Sequence, residues 1–308
     1  MKTRTALITG AYGFIGRNIA RLFGEKGWNV VGMGHGVWLR TEWTTWKIAE
    51  WNTCDITIDS LQTYAGDPDV IVHCAGGSSV GFSVSHPAED FNRTVSSTLA
   101  VLEYMRLYNN AALLIYPSSA AVYGRQDDRQ LREDETLYPV SPYGYHKKIA
   151  EDLCKSYSDN YELRVSIIRF FSLYGEGLRK QLLWEACGKF SRGEEQVMFF
   201  GSGEETRDWL HVLDAVKLIL LRSESLDCFS IVNGGSGERV TIREILEYMS
   251  NEYGAHQSVL FNGVVRKGDP NFYRADTTRA VSLGWKPSVD WRQGVRDYVK
   301  WYQGACRG

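Results

Sequence analysis

Three glycines near the start of the sequence, Gly10, Gly13 and Gly16, constrain the fold of this chain more than any other feature. The short apolar run before them, at 5–9, predicts a buried strand, and the apolar periodicity after them predicts a helix. Glycines at this spacing form a tight turn and let the backbone approach a pyrophosphate at the helix N-terminus. The context therefore indicates a dinucleotide site, although an ordinary strand–turn–helix has the same pattern.

Strands and helices alternate through the first half of the chain, which predicts an α/β fold with a doubly wound parallel Rossmann sheet. The predicted strands are 4–9, 28–33, 69–74, 111–117 and 163–169, and the predicted helices are 14–26, 88–108 and 141–158. Beyond about residue 172 the alternation loosens, and helices are predicted at 178–192, 211–222, 241–253 and 291–303. We expect a dinucleotide-binding domain over 1–171, which also receives part of 205–235, and a smaller α/β substrate lobe over 172–308.

Composition bounds the class of protein and its partners. Of 308 residues, 44% are hydrophobic and 23% are charged, which is typical of a soluble globular protein. The net charge of −2 gives no reason to expect nucleic acid or an anionic membrane, and no apolar run is long enough for a membrane span. The sequence enters a predicted strand at once, so we expect no signal peptide. Six cysteines without a CxxC pair and six histidines without ligand spacing predict reduced thiols, a cytoplasmic location and no metal.

Tyr143 and Lys147 are four residues apart, so on the predicted helix they lie one turn apart on one face. An ammonium group beside a phenol favours the phenolate, which predicts that the pKa of Tyr143 falls from about 10. The Ser119 hydroxyl could then hydrogen-bond a reacting oxygen. These three groups would form a complete proton-transfer set for oxidising an alcohol or reducing a ketone. Among 17 tyrosines a YxxxK pair alone could be a surface coincidence, and its weight comes from the glycine turn.

Four tryptophans, Trp38, Trp43, Trp46 and Trp51, follow the second predicted strand closely. They could form a partner surface or a lid over the adenosine end of a cofactor. Alternatively, they belong to a short insertion that packs its indoles onto the domain. We favour the second interpretation.

Taken in order, the motifs resemble the extended short-chain dehydrogenase/reductases of the nucleotide-sugar epimerase/dehydratase family, and the resemblance covers nearly the whole chain. The segments that carry it are the glycine turn, Asp55-Ile56, His73-Cys74-Ala75-Gly76, Ser118-Ser119 with Val122-Tyr123-Gly124, Tyr143 with Lys147, Arg169-Phe170-Phe171, the segment 206–212, Arg266-Lys267-Gly268-Asp269 and Leu283-Gly284-Trp285-Lys286-Pro287.

The resemblance implies roles for individual residues. Tyr143 would be the acid–base, Lys147 would tune its pKa and bind the cofactor ribose, and Ser119 would orient the reacting oxygen. The implied cofactor contacts are Gly10, Tyr12, Gly13, Phe14, Ile15, Gly16, His35, Asp55, Ile56, Ala75, Gly76, Tyr143, Lys147 and Phe170. The implied substrate contacts are Ser119, Ser172, Arg207 and Arg266, of which the two arginines would face a diphosphate.

Asp208 and His211 lie within the segment 206–212 of the resemblance. We interpret both as structural residues that cap the helix predicted to begin near Leu213. Asp269 is interpreted as structural too.

The sequence departs from the family pattern in three ways. Gly34 stands where NAD-preferring relatives hold an acid, while His35, Arg40 or Arg17 could meet a 2′-phosphate, so NADP(H) is favoured slightly over NAD. Ala120 and Ala121 replace the Asp-Glu pair of the sugar dehydratases, which argues against dehydration. Ser172 replaces an asparagine that points at the substrate phosphates, and its hydroxyl can still donate a hydrogen bond.

Two enzymatic functions remain, and both transfer hydride at a sugar carbon, which we take to be C4. We favour an NADPH-dependent reductase of a nucleotide-diphosphate 4-keto sugar. The alternative is a nucleotide-sugar 4-epimerase with tightly bound NAD, and a third hypothesis is a non-catalytic dinucleotide-binding protein. We also predict a homodimer, because the helices near 88–108 and 141–158 resemble the pair that forms the dimer interface in this family.

Overall fold

The computed structural model describes residues 3–124, 127–254, 256–264 and 272–306. The chain forms two compact units. The first comprises Met1–Gly124, Glu133–Phe170 and Val216–Val232, and the second comprises Arg125–Arg132, Phe171–Ala215 and Asn233–Gly308. Within the described ranges, none of the helices has the length and apolar content that a membrane crossing requires.

A seven-stranded sheet is built mainly from the first unit. Its strands are β1 Thr5–Thr9, β2 Asn29–Gly34, β3 Glu50–Thr53, β4 Val70–His73, β5 Leu113–Ser119, β6 Arg164–Phe170 and β11 Phe229–Gly234. They lie in the order β11-β6-β5-β4-β1-β2-β3, and the pairings from β3 to β6 are parallel. Because β1 has β2 on one side and β4 on the other, the strand order reverses there. A ligand crevice is expected outside the carboxyl ends of these strands.

Helices cover both faces of the sheet, which explains the continuous apolar runs of its strands. Leu7, Ile71, Leu114 and Ile167 belong to one core cluster and are fully buried. The helices are α1 Phe14–Glu25, α2 Arg40–Trp43, α3 Ile58–Tyr64, α4 Val80–Ser85, α5 Pro87–Phe91, α6 Ser97–Tyr108, α7 Pro142–Tyr161 and the second part of α9 Val212–Arg222. The predicted doubly wound α/β fold is confirmed.

The predicted helix 88–108 is interrupted in the structure. A π-helical turn, Asn92–Ser96, separates α5 from α6. Near it, the hydroxyls of Ser97 and Thr98 donate to the carbonyl oxygens of Arg93 and Thr94, each over 2.6 Å. Such hydrogen bonds from side chain to backbone are common where a helix bends or widens.

The second unit consists of small sheets and helices. Its strands are β7 Ser172–Tyr174, β8 Gln196–Phe199, β9 Thr206–Arg207, β10 Trp209–His211, β12 Val240–Thr241 and β13 Ser258–Phe261, and its helices are α8 Gln181–Phe190, the start of α9, α10 Ile242–Tyr253, α11 Thr278–Ser282 and α12 Trp291–Ala305. β7 pairs with β10 and β8 with β13 in parallel, whereas β9 and β12 are antiparallel. The four helices predicted beyond residue 172 are therefore present.

His211 and Asp208 have different structural roles. His211 Nδ1 accepts a hydrogen bond from the backbone N–H of Leu213 in the first turn of α9, so its predicted capping role is confirmed. Asp208 does not cap α9. Its buried carboxylate accepts hydrogen bonds from the backbone N–H groups of Ser236, Gly237 and Ala275, and so it ties two distant loops together.

Candidate active site

The glycine turn brings β1, α1 and the loop after β4 into close contact. Gly10 has φ +68°, and a Cβ there would lie 2.7 Å from the backbone nitrogen of Ala75. A Cβ on Gly16 would lie 2.4 Å from the carbonyl oxygen of Gly10. Side chains at either position would therefore push these elements apart. The first turn of α1 holds no acidic residue, so its backbone N–H groups offer an anion a favourable site.

His73 holds the loop after β4 in position. Its Nδ1 lies 2.7 Å from Thr9 Oγ1, and its Nε2 lies 3.2 Å from Ser97 Oγ. Thr9 Oγ1 also accepts a hydrogen bond from the Ala75 N–H over 3.2 Å. Burial, with a smaller effect of the nearby Lys147 charge, lowers the pKa of His73 to about 3. The ring is therefore neutral at physiological pH and acts as a hydrogen-bonding link.

Ser119 and Tyr143 are brought together by the end of β5 and the start of α7. Ser141 caps α7 by accepting a hydrogen bond from the Gly144 N–H, and Pro142 occupies the first helical position. The Ser119 hydroxyl accepts a hydrogen bond from the Ala121 N–H over 3.2 Å and lies near enough to the Tyr143 phenol to lower its pKa. The structure thus juxtaposes the two hydroxyl groups that the sequence singled out.

Lys147 lies one turn further along α7 and is buried. Its Nζ donates to the carbonyl oxygen of Pro117 over 3.0 Å and lies 4.7 Å from the centre of the Tyr116 ring. Burial lowers the pKa of Lys147 to about 8, and the neighbouring acidic groups oppose that shift. The ammonium is therefore held by the strand that carries Ser119.

The pKa of Tyr143 departs from the prediction. Burial raises it to about 12, while the nearby Ser119 hydroxyl lowers it and the charge of Asp90 raises it further. The expected lowering by Lys147 is wrong for the protein alone, because burial of the phenol outweighs the stabilisation of its anion. The Lys147 ammonium is engaged instead by the Pro117 carbonyl.

Two of the three basic groups expected to receive a 2′-phosphate, His35 and Arg17, have other partners. His35 Nε2 lies 2.7 Å from Asp55 Oδ1, and both side chains are exposed. The Arg17 guanidinium donates to the carbonyl oxygens of Tyr12 and Gly13 and lies over aromatic rings. A phosphate beside His35 would meet the Asp55 carboxylate. The structure therefore gives no support to the slight preference for NADP(H).

The backbone conformation at Gly34 explains why no acidic residue stands at this position. It has φ +144°, and a Cβ there would lie 3.3 Å from both the nitrogen and the Cα of Gly10. L-residues rarely adopt this backbone conformation, so the position is unfavourable for any side chain. The missing acid at Gly34 thus reflects the close approach of β2 to the glycine turn, and it says little about cofactor choice.

The tryptophan segment packs largely onto the first unit. The rings of Trp38 and Trp51 are buried, with their centres 5.3 Å apart, and both pack against Tyr12. The half-buried Trp46 ring lies 4.1 Å from the guanidinium of Arg21. This is the packing arrangement that we favoured from the sequence.

The remaining candidate residues fall into three groups. In the first unit, Phe14 and Ile15 begin α1, Ile56 follows β3, Gly76 follows β4 with φ +152°, and Phe170 ends β6. In the second unit, Ser172 begins β7, and Arg207 in β9 donates to the Thr206 carbonyl oxygen. Arg266 and Asp269 lie outside the described residues. The roles assigned to these residues stay predictions.

Sequence reasoning missed three polar residues beside the catalytic set. Ser83 Oγ accepts a hydrogen bond from the Tyr143 N–H over 3.0 Å, which joins α4 to the start of α7. Asp90 and His146 form a buried pair, with 2.6 Å between Oδ2 and Nδ1. The sequence signal that could have indicated this pair is the position of His146 next to Lys147. Across the described ranges, no group of three or more His, Cys, Asp or Glu residues is arranged to hold a metal ion.

The fold and this site define a dinucleotide-binding enzyme with a Ser–Tyr–Lys set. The chain belongs to the NAD dependent epimerase/dehydratase family, whose model matches residues 6–233. This confirms the family resemblance and the prediction of an enzyme.

Three relatives are similar to the chain over nearly its whole length. The UDP-glucose 4-epimerase of Mycolicibacterium smegmatis is 29% identical over 311 residues, which cover 96% of this chain and 98% of that protein. The structure of MoeE5 in complex with UDP-glucose and NAD is 27% identical, with a TM-score of 0.87 and coverage of 98% and 99%. The UDP-glucose 4-epimerase of Thermotoga maritima with UDP-glucose is 25% identical, with a TM-score of 0.86 and coverage of 98% and 99%.

Proposed function

We propose that this protein is a 4-epimerase of a UDP-sugar that works with a tightly bound NAD. The observation that carries the proposal is the placement of Ser119 near Tyr143, with the buried Lys147 one turn along α7, in a chain whose relatives include UDP-sugar 4-epimerases. The His35–Asp55 contact supports NAD, because a carboxylate at the adenosine end repels a 2′-phosphate and can accept a hydrogen bond from a ribose hydroxyl.

We favoured a 4-keto-sugar reductase from the sequence, but the main argument for that function no longer holds. That preference rested on the missing acid at Gly34 and on basic groups that could meet a 2′-phosphate. Gly34 disfavours any side chain, and His35 and Arg17 are engaged elsewhere. The catalytic set itself serves either reaction, so the cofactor evidence and the relatives favour epimerisation.

In the proposed mechanism the chain's residues move one proton and hold the reacting oxygen. Tyr143 takes the proton from the sugar 4-hydroxyl and later returns it to the same oxygen, while Ser119 hydrogen-bonds that oxygen. When bound, NAD⁺ would accept hydride from C4 and return it to the opposite face of the sugar, and its positive ring would favour the Tyr143 phenolate. Lys147 would bind the nicotinamide ribose. Ala120 and Ala121 have no proton to transfer, which disfavours dehydration of the intermediate.

We further propose a division of labour between the two units. The first unit would bind NAD through the glycine turn and the loop at Ala75 and Gly76. The second unit would bind the nucleotide sugar, with Ser172, Arg207 and Arg266 directed to its phosphates. We also propose that the protein is a homodimer that associates through α6 and α7.

Mass spectrometry of the denatured, purified protein tests the proposal, together with an assay for UDP-sugars interconverted at C4. We expect close to one NAD for each chain and interconversion of a UDP-hexose or UDP-hexuronate with its 4-epimer, without added cofactor. A protein that releases no dinucleotide, binds NADPH better than NADH and reduces a 4-keto sugar would contradict the proposal and support the reductase.

A further inference from the structure

A buried acidic group outside the Ser–Tyr–Lys set lies next to it. Asp90, on α5, is fully buried, and its Oδ2 is 2.6 Å from Nδ1 of His146 on α7. The other oxygen, Oδ1, is buried with no hydrogen-bond partner. Burying a carboxylate costs free energy that one hydrogen bond recovers only in part. An acidic group in such a position calls for a functional explanation.

Asp90 and Lys147 adjoin the same short stretch of backbone, Gly76–Gly77. A Cβ on Gly77 would lie 1.9 Å from Asp90 Oδ1, and a Cβ on Gly76 would lie 3.9 Å from Lys147 Nζ. Thr94 lies between these contacts, because its hydroxyl accepts a hydrogen bond from the Gly77 N–H over 2.8 Å. The carboxylate and the ammonium therefore flank the same two residues in a buried region, and the Asp90 charge is one of those that raise the pKa of Lys147.

Several elements place titratable groups around Lys147. They are His73 on β4, Cys74 after β4, Asp90 on α5, Tyr116 on β5, and Tyr143, Glu151 and Cys154 on α7. Burial keeps His73 neutral and raises the pKa values of both thiols and of Tyr116. Glu151 is a charged group too, but its carboxylate is committed to the Arg169 guanidinium. Asp90, by contrast, has one oxygen on His146 and the other buried without a hydrogen-bond partner.

We propose that Asp90, oriented by His146, is a positioning residue that keeps Lys147 charged and in place beside Gly76–Gly77. The inference rests on the proposed function, in which Lys147 binds the nicotinamide ribose. It gives the pair a definite role in the reaction: Asp90 offsets the burial of the ammonium, and thereby sets the upper pH limit of cofactor binding. His146 holds the carboxylate through its Nδ1–H and needs no contact with a ligand.

The titration of Lys147 tests the inference without any ligand. In protein labelled with ¹³C at lysine Cε, the Lys147 signal is assigned by its loss in Lys147→Met, and its midpoint is followed with pH. Asp90→Asn keeps the shape and removes the charge, so the midpoint should fall by about 1 unit. His146→Ala should lower it as well, whereas His146→Asn, which can still donate to Asp90, should restore it. Asp152→Asn, on the exposed side of α7, serves as the control.

The affinity for NAD⁺ measured against pH then connects this titration with function. We expect the affinity of Asp90→Asn to decline at a lower pH than that of the wild type, by the same shift as the Lys147 midpoint. An unchanged midpoint in Asp90→Asn would overturn the inference, and if that variant does not fold, an unchanged midpoint in His146→Ala would do so. A wild type that binds no dinucleotide would refute the proposed function but leave the titration result intact.

Discussion

Arg169 and Glu151 form an ion pair in the interior of the first unit, with 2.7 Å between Nη2 and Oε2. The two side chains are only 3% and 4% exposed. Ser118 donates a further hydrogen bond to Glu151, and Arg169 Nη1 donates to the Tyr123 hydroxyl and the Glu133 carbonyl. The pair joins β6 to α7 and lies one helical turn from Lys147. Arg169 is thus a structural residue that supports α7, the helix that carries Tyr143 and Lys147.

Removing one member of this pair should be strongly destabilising. Arg169→Met leaves the Glu151 charge buried without its partner, and we expect the free energy of unfolding to fall by about 3–5 kcal/mol. Urea denaturation followed by tryptophan fluorescence measures the change. Asp152→Asn, which breaks the exposed Lys148–Asp152 pair on the same helix, should cost less than about 1 kcal/mol. Equal effects of the two substitutions would contradict the interpretation.

Tyr143→Phe should abolish most of the turnover while leaving the cofactor bound. The substitution removes the hydroxyl that transfers the proton but keeps the ring, so we expect kcat to fall by about 10²–10⁴-fold. The NAD content of the purified variant should match that of the wild type. Ser119→Ala should lower kcat less, because it removes a hydrogen bond to the reacting oxygen and not the acid–base itself. A Tyr143→Phe variant with normal turnover would favour a different acid–base.

The pattern of the sequence was sufficient to predict five of the seven strands of the sheet and the main helices, but not β3 or β11. β3 carries one buried side chain, Trp51, at its sheet-edge position, so it lacks the apolar run that marked β1, β4 and β5. The π-helical turn at Asn92–Ser96 leaves the apolar periodicity almost unchanged, which is why one helix was expected there.

The candidate site, like the fold, could be predicted only in part from the sequence. Ser119, Tyr143 and Lys147 follow from local spacing within recognisable motifs, and the structure places the Ser119 hydroxyl near the Tyr143 phenol. The Asp90–His146 pair depends on the packing of α5 against α7, which no local pattern records. The direction of the Tyr143 pKa shift was mispredicted because burial, which outweighs the stabilising contacts, cannot be derived from residue spacing.

Asp55→Asn should weaken the discrimination between NAD and NADP. The substitution removes the carboxylate beside His35 and leaves the imidazole able to meet a 2′-phosphate, so the affinity for NADP should rise relative to NAD by about tenfold. Dissociation constants from tryptophan quenching measure the ratio. Asp59→Asn, an exposed carboxylate on α3, is the matched control and should leave the ratio unchanged. An unaltered ratio in Asp55→Asn would place the adenosine ribose elsewhere.

The proposed dimer can be tested on the outer face of α7. Tyr145 and Ile149 are 54% and 38% exposed and lie one turn apart, and Leu99 on α6 is 40% exposed. A charge at Ile149 would be buried unpaired in a dimer interface, so Ile149→Glu should convert the dimer to a monomer. Light scattering during size exclusion gives the mass. Leu226→Glu, at an exposed loop position, should leave the dimer intact, and a monomeric wild type would show that the prediction is wrong.

His73 should make the folded protein sensitive to acid. Its pKa is about 3 in the folded protein, because burial disfavours the charged ring, and about 6.5 in the unfolded chain. Between these values the unfolded chain binds a proton that the folded protein does not. The contribution of His73 to stability is therefore fully present above about pH 6.5 and is lost as the pH falls toward 3, at about 1.4 kcal/mol for each pH unit.

Urea denaturation of the wild type and His73→Asn at about pH 6.5 and about pH 5 isolates this effect, since other groups titrate in both proteins. Asparagine does not titrate and can still hydrogen-bond Thr9. The free energy of unfolding of His73→Asn should therefore fall by about 2 kcal/mol less than that of the wild type over this interval. His86→Asn, at an exposed position, should keep the wild-type dependence. If His73→Asn also keeps the wild-type dependence on pH, the ring must be accessible to protons in the folded state. The interpretation of His73 as a neutral link between Thr9 and Ser97 would then be wrong.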